Sequence, residues 1–231
     1  MLERLDYVRL APRRVLDAGS GPPRRELARR YPQASVVALD FSPAMLQGTR
    51  FRFFQKKPLL LCGELERLPL ADGSVDLVWS NMALHWLSEP LGAFREFRRV
   101  LAPGGLLMFS TLGPDSLKEL RVAAGTRRVH GFIDMHDLGD MLLAAGLSNP
   151  VMDMEMLSID YADAGRLLDD LRASGQTSAR ADRPRGLAGR RFAAELRRAL
   201  GDTPRATYEV VYGHAWKASE VKTVRVFKSV S

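Results

Sequence analysis

Asp17-Ala18-Gly19-Ser20-Gly21, followed by Asp40, is where residue type and spacing most directly suggest ligand chemistry. Glycine has no Cβ, so it lets a backbone come close to a bound molecule and adopt a positive φ. Taken alone, Gly-x-Gly specifies little. The dinucleotide fingerprint needs a third glycine three positions further on, where Arg24 stands, which argues against a pyrophosphate seated on a helix N-terminus. A nucleoside without phosphates fits better. Asp40, about 20 residues beyond the glycines, is placed to accept hydrogen bonds from a ribose diol. Its other reading, an acid capping the next helix, is weakened by Ser42, the better cap.

The elements that must hold these residues alternate between strand and helix. Arg14 to Gly19 is a β-rich run ending in glycine, and Glu26 to Tyr31 opens a helix closed by Pro32. Ser35 to Asp40 is a continuous apolar run ending in an acid, as in a parallel strand covered on both faces. Ser42-Pro43 then starts a helix, with the serine as N-cap and the proline in the first turn. Strands are predicted at Leu59 to Cys62, Ser74 to Ser80 and Leu106 to Thr111; a helix from Pro90 to Leu101 is stopped by Pro103-Gly104-Gly105. Beyond Gly113, helices are predicted at 115–124, 134–145, 164–174 and 190–200, with strands at 151–161 and 207–217. The stretch 175–189 reads as a surface loop. This order implies an α/β fold with a Rossmann-like, seven-stranded, mostly parallel, doubly wound sheet. One domain over 1–218 is expected, with a cofactor half at 11–112, a substrate half at 113–218 and a tail at 219–231.

Composition narrows the class. The 231 residues are 46% hydrophobic and 26% charged, enough for one sizeable core. No run approaches the ~18 apolar residues of a membrane span, and the N-terminus mixes charges into its first turn, unlike a signal peptide. A cytoplasmic location and no membrane partner are therefore expected. The single cysteine, Cys62, excludes an internal disulfide framework and any multi-cysteine zinc site; it reads as a small buried residue at a strand end, and no metal is expected. The net charge of +7 is driven by arginines, concentrated at 13–14, 24–30, 95–99, 121–128 and 180–198. It makes an acidic partner plausible. No nucleic-acid-binding signature accompanies it, so a carrier protein is preferred to nucleic acid.

The motif order carries a family resemblance. Val15 to Gly21, Ala38 to Ser42, Gly63-Glu64-Leu65-Glu66-Arg67-Leu68-Pro69, Ser74 to Asn81 and Arg99 to Gly105 resemble the successive motifs of class I S-adenosylmethionine methyltransferases. The resemblance implies S-adenosyl-L-methionine as cofactor. Asp17, Gly19 and Gly21 would line its methionine part, Asp40 would hold the ribose hydroxyls, and Phe41 would pack on the adenine. Glu64 and Leu65 would meet the adenine edge; Asn81 and Leu84 would close the sulfonium side. Trp79 to Trp86, Ser110 to Leu120, His136 to Asp140 and Tyr208 to Trp216 are similar, more narrowly, to the biotin-pathway malonyl-acyl-carrier-protein O-methyltransferases. That family methylates the free carboxylate of a malonyl thioester, masking its charge so that fatty-acid synthesis enzymes elongate it toward pimeloyl. A malonyl-bearing acyl carrier protein is the implied partner, and a monomer is expected.

A malonyl carboxylate is already ionised at neutral pH, so its attack on a sulfonium methyl needs alignment and desolvation more than a general base. One or two donors to grip that carboxylate are needed; His130, Arg121 and His214 are the candidates, each with an ordinary structural reading beside it. Trp79, Trp86 and Trp216 read as core or pocket wall. Two departures from the family pattern carry expectations: a short segment before the first strand, implying a missing lid, and Pro22-Pro23 in place of proline-glycine, implying a lost backbone donor at 23. Glu64 also stands where aspartate is commoner. The competing readings are a methyltransferase with another small-molecule or protein acceptor, and a cofactor-binding assembly protein without transfer.

Overall fold

The computed structural model describes residues 1–48, 57–174 and 189–219. Apart from Gly189 and Ser219, the expected loop at 175–189 and tail at 219–231 lie outside the described residues. The described strands are β1 (Arg14–Ala18), β2 (Ser35–Asp40), β3 (Leu59–Cys62), β4 (Val75–Asn81), β5 (Leu101–Leu112), β6 (Ser148–Asp160) and β7 (Arg205–Trp216). They form one sheet in the order β3-β2-β1-β4-β5-β7-β6. All pairings from β3 to β5 are parallel, whereas β7 runs antiparallel to both neighbours. The chain builds outward from β1 to β3, then returns to place β4 on the other side of β1. That reversal opens a crevice beyond the carboxyl ends of β1 and β4.

The helices are α1 (Glu26–Arg30), α2 (Pro43–Leu46), α3 (Pro90–Val100), α4 (Lys118–Ala124), α5 (Met135–Ala144), α6 (Ala164–Ala173) and α7 (Arg190–Leu200). Central strands read as apolar runs because both faces are covered: Val15, Leu16, Leu77 and Val78 are fully buried. One face packs on Phe94 and Phe97 of α3 and Leu138 and Leu142 of α5. The other meets Leu27 of α1 and Leu5, which sits on a 3-10 turn over Leu2–Tyr7 that the sequence pattern did not reveal.

Several boundaries differ from the sequence reading for definite reasons. Pro103-Gly104-Gly105 does not precede β5 but lies within its span: Leu101 pairs with Val75, and the ladder resumes at Leu106 opposite Leu77 after a register shift. Gly104 takes φ +76 there, and a Cβ on Gly105 would sit 2.8 Å from the Ala102 carbonyl oxygen. α4 starts at Lys118 rather than Asp115, because the Asp115 amide donates to the buried Glu209 carboxylate, 2.8 Å, and Leu117 turns through φ 56. Cys62 is exposed, not buried, because β3 is the edge strand. No helix among the described residues is long and apolar enough to cross a membrane.

Candidate active site

The glycine turn after β1 is tied to β2. The Gly19 and Ser20 amides both donate to the Leu39 carbonyl, at 2.8 and 2.9 Å, and Gly19 takes φ +72. A Cβ on Gly19 would lie 2.3 Å from the Ala83 Cβ, so the absence of a side chain lets the turn lie against the segment after β4. Gly19→Ala is therefore expected to cost about 2 to 4 kcal/mol, from the left-handed backbone and the displaced neighbour together. Adding Ala83→Gly should recover the displacement part of that loss in a thermal melt. Equal melting of single and double variants would contradict the packing account.

Asp40 sits at the centre of the same corner. One carboxylate oxygen accepts from the Gly21 amide, 2.8 Å, and the other from the Ser42 amide, 2.9 Å. Ser42 itself caps α2, accepting from the Met45 amide, so the acid joins the turn to the next loop instead of capping the helix. Across the crevice, β4 ends in Asn81, whose Oδ1 accepts from the Ser110 hydroxyl at 2.7 Å. Met82 follows in the left-handed region at φ 56, its amide donating to the Ser110 carbonyl at 3.0 Å. Such a conformation in a bulky residue is strained, and strain of this kind concentrates at functional corners.

Between these corners lies a cleft of about 1030 Å³. Asp17, Gly19, Gly21, Asp40, Phe41, Glu64, Leu65 and Asn81 all line it, so the structure gathers eight of the nine expected cofactor residues in one place. Among the described residues, the side chains lining it include five carboxylates (Asp17, Glu26, Asp40, Glu64 and Glu66) against one basic group, that of Arg24. Burial first, and then the charge of Glu26, push the Asp17 carboxyl up from 3.8 to about 7; Asp40 adds to the shift and Arg24 opposes it. An acid held close to neutrality in a negatively charged cleft is poised for a cationic ligand and ill suited to a polyphosphate. Phe41 stands at the rim with 73% of its surface exposed, a largely uncovered apolar face.

Leu84 is the exception among the nine. It starts a 3-10 turn, Leu84–Trp86, that directs its side chain into the core at 1% exposure, while Ala83, Trp86 and Leu87 line the cleft. None of the three proposed carboxylate grips lines it either. Arg121 donates to the Pro114 and Ser116 carbonyls, 2.7 and 3.0 Å, and braces the loop before α4. His130 lies between α4 and α5, its ring 5.7 Å from Phe132. His214 pairs in register with Met108 and Val151 and faces a second cavity of about 420 Å³ beside Arg4 and Tyr212. Because β7 is antiparallel, its final residues lie toward the opposite edge of the sheet from the cleft. Burial and Arg4 hold the His214 imidazole below its usual range.

Pro23 is buried and does not line the cleft; the neighbouring Pro22 does. Met45, Met82 and Trp86 are cleft residues that the sequence reading did not single out for the site, although Trp86 was read as core or pocket wall. Met1 and Leu2 of the N-terminal turn also contribute to the wall. His85, beside Trp86, does not line this cleft. Its Nδ1 is buried without a hydrogen-bond partner among the described residues, and burial with the nearby His130 pushes its imidazole down to about 4.

Comparison with known proteins agrees with this geometry. A family model described as a methyltransferase domain matches residues 16–109, the span from β1 to β5. A malonyl-[acyl-carrier protein] O-methyltransferase of Laribacter hongkongensis is 49% identical over 94% of this chain and 80% of its own length. The protein of that name from Gallionella capsiferriformans is also 49% identical, with 94% and 81% covered. Among solved structures, a putative methyltransferase of Bacillus halodurans superposes with a TM-score of 0.64 at 16% identity, covering 94% of this chain and 99% of that one. An S-adenosylmethionine-dependent methyltransferase of Mesorhizobium loti gives 0.54 at 19% identity, with 93% and 95% covered. These likenesses support the class I fold, and the identities to the curated relatives settle the family: the chain belongs to the malonyl-[acyl-carrier protein] O-methyltransferases.

Proposed function

We propose that this chain transfers a methyl group from S-adenosylmethionine to the free carboxylate of a malonyl group held on acyl carrier protein, the step that the resemblance links to biotin synthesis. The observation that carries the proposal is the acid-lined cleft at the strand-order reversal, with the Asp17 carboxyl pushed up to about 7. The donor fits it: a cationic, phosphate-free nucleoside meets glycines, carboxylates and an exposed aromatic ring in the sequence its own parts require. When bound, it supplies an electrophilic methyl on a sulfonium.

The protein's residues bind, orient and exclude water. Asp17 pairs with the ammonium of the methionine part, next to the unobstructed backbone at Gly21, where a Cβ would meet nothing within 4 Å. Asp40, already held by two amides, offers its remaining lone pairs to the ribose hydroxyls, and Phe41 covers the adenine. Trp79, Met82, Trp86 and Leu87 supply apolar wall on the β4 side, where a carboxylate stripped of water becomes the better nucleophile. A general base is unnecessary because the acceptor carries no proton at neutral pH.

Malonyl-carrier protein, acetyl-carrier protein and free malonate, offered in parallel with S-adenosylmethionine, test the acceptor. Intact-mass analysis should show one added methyl on the malonyl carrier and none on the acetyl carrier, which lacks the carboxylate. Methylation of both carriers, or of neither, would overturn the acceptor assignment.

A further inference from the structure

Several of the described arginines are engaged by the fold. Arg14 pairs with Asp76, Arg99 with Glu96 and Asp72, Arg205 with Asp160 and Arg4 with Asp153, while Arg121 is held by carbonyls. α7 differs. Its eleven residues include four arginines and a single acid, Glu195, which pairs with Arg191. Phe192, Leu196 and Leu200, four residues apart, make its covered stripe; Leu196 is buried and Leu200 packs into the cluster around Leu167 and Leu171. Arg197 and Arg198 stay exposed and form no ion pair among the described residues.

The fold also brings a second basic segment to this helix. Arg128 places its guanidinium 4.0 Å above the Phe192 ring, tying the short turn after α4 to α7. α7 packs against α4 and α6, and Ser174 at the end of α6 lines the cleft. The basic face therefore adjoins the cleft's own side of the molecule. On α6, the acids beside it are committed elsewhere: Asp169 to Arg172 and Asp170 to the Tyr161 hydroxyl.

We propose that the outer face of α7, continued by Arg128, is the docking surface for the acyl carrier protein, which must present an acidic patch beside its thioester arm. This rests on the acceptor proposed above. A substrate on a flexible arm can be delivered from a surface that is near the cleft but outside it, which is where Arg197 and Arg198 lie. Single-stranded nucleic acid is the less favoured partner, because the outward positions of α7 carry Ala193 and Ala194 between the arginine pairs and offer no aromatic platform for bases. Opposite charges on the two surfaces raise the encounter rate and make it sensitive to salt.

The test compares malonyl-carrier protein with malonyl-pantetheine, a thioester that has the arm without the protein. Arg197→Glu/Arg198→Glu should raise KM for the carrier by about tenfold or more and leave KM for malonyl-pantetheine and the melting temperature unchanged. Salt should depress the wild-type rate with the carrier alone, and Arg197→Lys/Arg198→Lys should retain wild-type KM. An unchanged carrier KM in the charge-reversed protein overturns the docking surface, as does an equal loss with both thioesters in the milder Arg197→Gln/Arg198→Gln variant. Charge reversal that abolishes binding of a labelled single-stranded RNA but spares the carrier KM would assign the face to nucleic acid instead. Failure of the wild type to methylate either thioester would count against the acceptor proposal, a result distinguishable from all of these.

Discussion

S-adenosylmethionine is expected to bind about tenfold more weakly for each pH unit below about 7, because a protonated Asp17 must lose its proton to pair with the ligand's ammonium. The free carboxyl titrates near 7 in the folded protein against an ordinary 3.8, with burial and then Glu26 as the causes. Pairing with a cation favours the ionised form, so below about 7 binding releases one proton, and above it the dependence levels off. The ligand-free fold carries the opposite tendency. Since the unfolded chain ionises first, Asp17's own contribution to stability is fully present below 3.8 and is lost as pH rises toward about 7. Asp17→Asn should abolish the proton release, flatten the affinity profile and weaken binding at about pH 8 by roughly ten- to a hundredfold. Calorimetry at several pH values, in buffers of different ionisation enthalpy, reads both affinity and proton release. A wild-type profile that is flat between about pH 5.5 and 7 would contradict the assignment of Asp17 to the ammonium.

Asp40→Ala is expected to lower affinity for S-adenosylhomocysteine by roughly ten- to a hundredfold, the equivalent of about 1.5 to 3 kcal/mol for hydrogen bonds to a charged group. The carboxylate joins the Gly21 amide to the Ser42 amide, so its removal also frees the glycine turn it holds. The cost to the fold should be smaller than the cost to binding, because the turn keeps its two bonds to the Leu39 carbonyl. Asp40→Asn separates the two roles: its single amide oxygen can still accept from one backbone amide but leaves less capacity for the ribose diol. Unchanged affinity in a folded Asp40→Ala protein would show that the acid serves the turn alone.

What the sequence revealed, and what it hid, follow from how local each signal is. Ser42-Pro43 announced α2 because cap and first-turn chemistry act within four residues, and Asp17, Gly19, Gly21 and Asp40 were legible because strand end and turn are contiguous in the chain. His214 was misplaced because the direction of β7 relative to β5 is a tertiary fact; seen only as a residue near a strand's end, it cannot be assigned to an edge of the sheet. Leu84 was misread because a three-residue 3-10 turn sends adjacent side chains to different sides, and no longer period reveals which one goes inward. Arginine clusters gave charge but not availability: Arg121 stands in a basic run yet is held by two carbonyls, while Arg128 reaches the Phe192 ring of α7, 64 positions away in the chain.

The most direct measurement is the chemical form of the transferred methyl group. S-adenosylmethionine labelled on its methyl is incubated with malonyl-carrier protein and the full chain, the carrier is isolated, and the label freed by mild base is collected as methanol. An ester formed on the malonyl carboxylate predicts that essentially all carrier-bound label is released as methanol, and that Asp40→Ala lowers the amount formed at low donor concentration. Label that stays on the carrier after base, or that never reaches it, would contradict methylation of the carboxylate.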